Sequence, residues 1–253
     1  MSAGALPELV AQGRAIAGWL DGLDETDFAR PSVLELWDVR ELTAHLALVF
    51  ERGARALGHV STEAPVPVVE YVQRYRRDVD QIVAATAETA GDRSPAELIA
   101  ALRAGIAAWP DQLPTHRAIL AGRGPIRPVD WVSTRVIEAV VHSDDLSRSL
   151  PHRDPVPLEG AAVATATREL AAILALQAPG RSVEVRIPPY VAVQAVEGPR
   201  HTRGTPPNVV ETDPVTWIRL ATGRIDFAAC VTNGTVLANG PRADLGAFLP
   251  LMS

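Results

Sequence analysis

Apolar positions along the first 150 residues recur at helical spacing. Ile16, Leu20 and Leu23 put a helix over about Pro7 to Leu23. Leu42, Leu46 and Val49 stripe a second, which Asp38 caps, Glu41 completing the capping-box pattern, and which runs to about Gly58. His45 falls on that apolar stripe, whereas Arg40, Glu41 and Glu51 lie on the charged side. A third helix covers about Val68 to Thr89, with Arg74, Arg76 and Arg77 on a solvated face or the rim of a cleft. Ser94, Pro95 and Glu97 supply an N-cap, a first-position proline and a capping acid for a fourth, ending near Trp109 and Pro110. Val132, Val136 and Val140 recur every four residues and mark one more. Asp24 to Pro31, Gly58 to Pro67 and Pro114 to Pro128 read as breaks and loops. Long helices with connections of mixed length predict a four-helix bundle over residues 1–152.

The period then changes. Pro151 to Pro157 is a proline-rich joint, and Leu158 to Gln177 is an alanine-rich helix. Val183, Val185 and Ile187 alternate with polar residues, and Val191 to Val196 follows a Pro188-Pro189 turn, so the two runs predict a hairpin. Asn208 to Glu211 reads as another strand. Asp213-Pro214 opens a helix that ends at Gly223. Phe227 to Val231 and Val236 to Ala238, around Asn233-Gly234, predict a second hairpin, and Arg242 to Leu249 a closing helix. Residues 153–253 are thus expected to form a small α+β domain.

Composition narrows the class. With 253 residues, 47% of them apolar and 21% charged, the chain can bury two cores of ordinary size. A net charge of −6 argues against a general attraction to nucleic acid or anionic lipid. No apolar run is long enough to span a membrane, and the N-terminus lacks a basic region followed by an apolar core; a cytoplasmic protein is expected. The single cysteine, Cys230, rules out a disulfide framework or a thiolate metal cluster. Its place in a predicted strand suits a buried structural role better than a nucleophile.

The chemistry concentrates in one helix. Glu138 and His142 are four residues apart, so both leave the same face about one turn (~5.4 Å) apart. A carboxylate and an imidazole so placed are two ligands for a divalent metal if a third joins them, and His45 is the best candidate. A surface ion pair, or a histidine satisfied within the core, has the same spacing.

Four stretches carry a resemblance to a known family. They are WDVRELTAHLA (Trp37 to Ala47), RVIEAVVHSDDL (Arg135 to Leu146), DPVTWIRLATGR (Asp213 to Arg224) and GPRADLGAFLPL (Gly240 to Leu251). The first two resemble the signature stretches of the mycothiol-dependent maleylpyruvate isomerase family, which belongs to the DinB-like four-helix metalloenzymes. The last two resemble the sterol-carrier-protein-like domain that follows the bundle in such actinobacterial proteins. The resemblance implies a divalent metal, usually zinc, held by His45, Glu138 and His142. It also implies mycothiol, a sugar-linked cysteine derivative, as thiol cosubstrate. Two imidazoles and one carboxylate would leave zinc with net charge +1 and an open position, where an entering thiol becomes a thiolate. Transfer of sulfur to an activated carbon, or cis–trans isomerisation if sulfur leaves again, would follow. The family holds its anionic substrate with a basic residue of the second domain, and Arg219, Arg224 and Arg242 are the candidates here, in that order. Asp145, three residues past His142, would orient a ligand or simply end the helix.

Two rival classes stand beside that expectation. A carrier-like second domain would suit a binding protein for an apolar ligand, with a structural or vestigial metal; the 5% aromatic content argues weakly against a large apolar pocket. A metal-dependent hydrolase would need a general base near the ion, and Asp144 and Asp145 are the residues on offer.

Overall fold

The computed structural model describes residues 5–75, 78–198 and 207–252. Its helices are α1 (Ala5–Leu20), α2 (Glu25–Phe28), α3 (Val39–Ala56), α4 (Val68–Gln73), α5 (Val79–Ala90), α6 (Pro95–Ala107), α7 (Pro128–Ser149), α8 (Gly160–Gln177), α9 (Pro214–Ala221) and α10 (Phe227–Thr232). Its strands are β1 (Ile119–Ala121), β2 (Gly124–Ile126), β3 (Val183–Ile187), β4 (Val191–Ala195), β5 (Val209–Glu211) and β6 (Leu237–Asn239). Two compact units result: Met1–Pro67 with Arg77–Ala162, and Val68–Arg76 with Val163–Ser253. The first is largely helical and the second α+β, as the change of period predicts.

In the first unit α1 packs against α6 and α7, and α3 packs against the same two, so these four helices close a ring. Because α5 also lies on α3, the middle of α3 has no face left for solvent, and every residue from Leu42 to Phe50 is buried. Two local devices set α3 in place. Asp38 accepts from the Glu41 amide at 2.7 Å while Glu41 accepts from the Asp38 amide at 3.0 Å, a complete capping box. A Cβ on Gly105 would sit 2.9 Å from the Glu51 backbone nitrogen, so α6 comes this close only because that residue has no side chain.

Helix α7 turns polar groups inward. Asp130, Ser133, Thr134, Arg135, His142, Ser143, Asp144 and Asp145 are all buried. Such groups need partners in the core. Ser143, for example, accepts from Gln12 Nε2 at 3.0 Å and donates to the Ala139 carbonyl at 2.7 Å. Past α7, Arg153 and His152 both bond the buried carboxylate of Asp27 on α2. The expected break at Asp24 to Pro31 is therefore a capped turn of helix that receives the joint.

In the second unit the sheet order is β4-β3-β5-β6, antiparallel except for the parallel β3–β5 pair. Val183, Val185 and Ile187 are fully buried, while Glu184 and Arg186 pair at 2.6 Å on the other face.

Four expectations fail locally. The third helix is broken into α4 and α5, because its two ends belong to different cores. Of its arginines, Arg74 pairs with Glu70, and Arg76 and Arg77 lie outside the described residues. The loop before α7 contains the β1–β2 hairpin, with Gly124 at φ 116 just past a two-residue turn. Phe227 to Val231 is helix, not strand: Asp226 caps it by accepting from the Ala229 amide, and so short an apolar run has no decisive period. Cys230 accordingly sits on a helix. Arg242 to Leu249 yields only the 3-10 turn Gly246–Phe248, since Asp244 bonds the Gly246 amide in place of a helical carbonyl. No helix among the described residues is long and apolar enough to cross a membrane.

Replacing Asp38 by alanine should lower the unfolding free energy by about 1 kcal/mol through loss of the α3 cap. Helix content should persist, and denaturant unfolding followed by circular dichroism measures both.

Candidate metal centre

Packing of α3 against α7 brings together the three residues the sequence nominates. His142 Nε2 lies 3.2 Å from Glu138 Oε2, and His45 Nε2 lies 3.7 Å from the same oxygen. All three donor atoms fall within 4.8 Å of one another. Donors held about 2.0–2.1 Å from a tetrahedral ion stand roughly 3.3 Å apart, and the two separations bracket that value. The longer one exceeds a good hydrogen bond, so it suits ligands around an ion better than a direct contact. The imidazoles meet edge to face, with centroids 4.9 Å apart and planes at 82°.

Each donor has a support behind it. His142 Nδ1 is 3.0 Å from Asp145 Oδ2, and Asp145 is fully buried. An Nδ1 proton donated to that carboxylate leaves the Nε2 lone pair for a cation. His45 Nδ1 is 3.4 Å from Thr86 Oγ1 on α5, and the Trp37 ring lies 4.7 Å from the His45 ring. Arg135 approaches the second oxygen of Glu138 at 3.6 Å and stacks 4.2 Å from the Trp131 ring centre. Trp131 donates to the Gly53 carbonyl at 3.0 Å. Gly53 has to lack a side chain, because a Cβ there would stand 2.6 Å from the Trp109 ring.

The charges settle the protonation pattern. Burial alone would raise the Glu138 carboxyl, but Arg135 and the two imidazoles outweigh it and hold the group well below its ordinary range. Burial lowers His45, and the neighbouring His142 adds to that. His142 goes the other way: burial would lower it, but the Asp145 and Glu138 carboxylates overcome that and raise it. The site thus offers a carboxylate, one neutral imidazole and one imidazole whose proton an entering cation must displace.

A cavity of about 530 Å³ within the first unit reaches His45 and Glu138. Its lining comes from α3, α5, α7 and the β1–β2 hairpin. Of the other nominated residues, Asp144 and Asp145 are buried on α7, and Asp145 is committed to His142. Arg219 lies on α9 and Arg224 just beyond it, donating to the Thr222 carbonyl at 2.8 Å. The Arg242 amide donates to Asn208 Oδ1 at 3.0 Å. These three belong to the second unit. Cys230 is buried, and burial raises its thiol.

Sequence reasoning passes over Arg135, Trp37 and Thr86. The first two lie inside the quoted stretches, and Arg135 is one turn before Glu138, a spacing that signals an ion pair. Nothing local marks Thr86, which the packing of α5 on α3 brings in.

Comparison with known proteins gives the following. The mycothiol maleylpyruvate isomerase N-terminal domain matches residues 9–147, and the bacterial SCP ortholog family matches residues 159–251. Among curated proteins none matches the chain. Two solved crystal structures, one of the mycothiol-dependent maleylpyruvate isomerase and one of a histidine-to-alanine mutant of it, share the fold with a TM-score of 0.59. Each is 18% identical, over 92% of this chain and 92% of the other, and at that identity the likeness is one of fold.

Protein prepared without chelator should contain about one divalent ion per chain by elemental analysis, and His142→Ala should abolish it. Full retention of metal in that variant would refute the ligand set.

Metal affinity should fall as the pH drops through the raised His142 value, which lies above the ordinary 6.5. The slope should be about tenfold per pH unit, with His45, already neutral there, adding nothing until lower pH. Without metal the sign reverses for folding. The stability that protonated His142 contributes is complete below 6.5 and lost as the pH rises through its raised value. Chelator competition and thermal unfolding across about pH 6 to 8 test the two slopes.

Proposed function

Because the chain belongs to the family of the mycothiol maleylpyruvate isomerase N-terminal domain, we propose that it is a metal-dependent, zinc-using thiol transferase or cis–trans isomerase with mycothiol as cosubstrate and a small electrophile as acceptor. The observation that carries this reading is the buried His45, Glu138 and His142 cluster at a cavity large enough for a small molecule. When bound there, a divalent ion lowers the pKa of an entering thiol so that sulfur is present as the nucleophilic thiolate.

The chain's own groups prepare that chemistry. Arg135 holds the Glu138 carboxylate and keeps it ionised; Asp145 sets the tautomer and orientation of His142; Thr86 and the Trp37 ring hold His45. Burial of these groups keeps water from competing for the donors. The single cysteine, Cys230, is buried with a raised thiol, which favours a sulfur supplied from outside.

Assignment of Arg219, then Arg224 and Arg242, to the acceptor's carboxylate rests on the family resemblance. The division of the chain into domains 1–152 and 153–253 rests on the change of period and the proline-rich joint at Pro151 to Pro157, and the gap between the two family matches at residues 148–158 supports it. The bacterial SCP ortholog match favours one second reading, a lipid or sterol binding protein whose metal is structural. The hydrolase reading loses one of its two bases, since Asp145 is bonded to His142.

Metal-loaded protein incubated with mycothiol and chlorodinitrobenzene or a bimane should form the thiol adduct, and removal of the metal should stop it. Activity that survives metal removal would overturn the mechanism. Tight uptake of a fatty acyl or sterol ligand with no thiol binding would decide for the carrier.

A further inference from the structure

The two oxygens of the Glu138 carboxylate have different neighbours. Oε2 faces both imidazoles, 3.2 Å from His142 Nε2 and 3.7 Å from His45 Nε2. Oε1 faces a cation instead, with Arg135 Nη2 at 3.6 Å. The candidate donors therefore converge on one side of the carboxylate, and a fixed positive charge stands on the other. These four side chains are only 7% to 13% exposed, so solvent does little to screen one charge from the next.

Arg135 is held in that place. Its guanidinium lies 4.2 Å from the Trp131 ring centre, and its Nε donates to Thr134 Oγ1 at 3.3 Å. Trp131 is itself tied to the Gly53 carbonyl. A guanidinium keeps its proton at any working pH, so its charge persists when a second cation enters. An ion that moved across to take both carboxylate oxygens would have to approach that charge in a poorly screened place. Three single-atom donors leave a small ion one open position in a tetrahedron. Larger ions that surround themselves with oxygen, such as manganese and calcium, fill more positions, and a carboxylate binding through both oxygens helps to supply them.

We propose that Arg135 is a positioning residue that restricts Glu138 to a single coordinating oxygen, and that it thereby selects a four-coordinate ion over larger, oxygen-preferring ones and keeps one position open. This deepens the proposed function and rests on its ligand set, not on the identity of the thiol or the acceptor. Arg135 acts through Glu138 and is not a ligand itself. Loss of a merely structural ion pair weakens the site for every ion alike. Loss of a restriction changes which ions bind and in what geometry.

The test uses the full chain stripped of metal and reloaded with cobalt(II), whose visible bands are intense in four-coordinate sites and weak at higher coordination. Zinc and manganese affinities are measured beside it by chelator competition. The wild type should give the intense spectrum. Arg135→Gln should give a weaker one and narrow the zinc-to-manganese affinity ratio about tenfold. The change in ratio is what counts, because imidazole donors favour zinc over manganese in any case. Arg135→Lys keeps a charge but not the two-pronged fork, so its ratio should narrow by less. Helicity by circular dichroism checks folding, and if Arg135→Gln does not fold, Arg135→Lys decides in its place. An unchanged spectrum and ratio, or an equal change in affinity for both ions, would overturn the proposal. So would a weak spectrum from the wild type, a result that needs no variant. A wild type that binds no divalent ion refutes the ligand set as well. Absence of thiol transfer, with the spectral and ratio changes intact, removes the transferase reading and leaves the role of Arg135 standing.

Discussion

The structure depends on the Glu138 carboxylate, a charge placed where α3 and α7 meet. A buried carboxylate is tolerable only when surrounding charges and donors replace the water it has lost. Here a guanidinium stands on one side and two imidazoles on the other. The partners come from two helices, so the demands of one buried charge tie α3 to α7 and specify their register. Removing Arg135 would leave the Glu138 carboxylate without its guanidinium, and removing Glu138 would leave Arg135 without its carboxylate.

That demand spreads outward. His142 is oriented only because Asp145 is buried behind it, and Arg135 is held against Trp131, whose indole bonds the carbonyl of Gly53. The backbone around Gly53 is in turn close to Trp109 because no side chain intervenes. The polar interior of α7 is thus a connected network anchored at several points, the arrangement that gives a metal or substrate site its rigidity. The same packing leaves a cavity at the cluster, walled by α5 and the β1–β2 hairpin. Rigid ligands beside an open volume are what a catalytic centre needs and a purely structural ion does not.

The second unit obeys a different rule, with alternation along β3 burying Val183, Val185 and Ile187 and leaving Glu184 and Arg186 to pair on the other face. Its single cysteine is buried, with a raised thiol, on a helix where five residues read as a strand. The candidate metal ligands all lie in the helical unit, and the second unit matches the bacterial SCP ortholog family.

The helical half, the α+β half and the Glu138 and His142 pair of the candidate metal site were legible in the sequence because each rests on a local rule, whereas His45 was nominated from its apolar stripe and the family resemblance. The period of apolar residues sets the element, Asp38 with Glu41 starts α3, and four-residue spacing puts Glu138 and His142 on one face. Where two local rules conflict or a run is too short to show a period, the sequence misleads: Phe227 to Val231, the glycines of the β1–β2 turn, and the Arg242 to Leu249 segment all fall there. The break between α4 and α5 has no local cause, since its ends pack into different cores. Likewise only the tertiary fold put His45 within reach of Glu138 and set Thr86 against His45. His45 is 41 residues from Thr86 and 93 from Glu138, and no spacing rule extends over such distances; packing of α3 with α5 and α7 decided them.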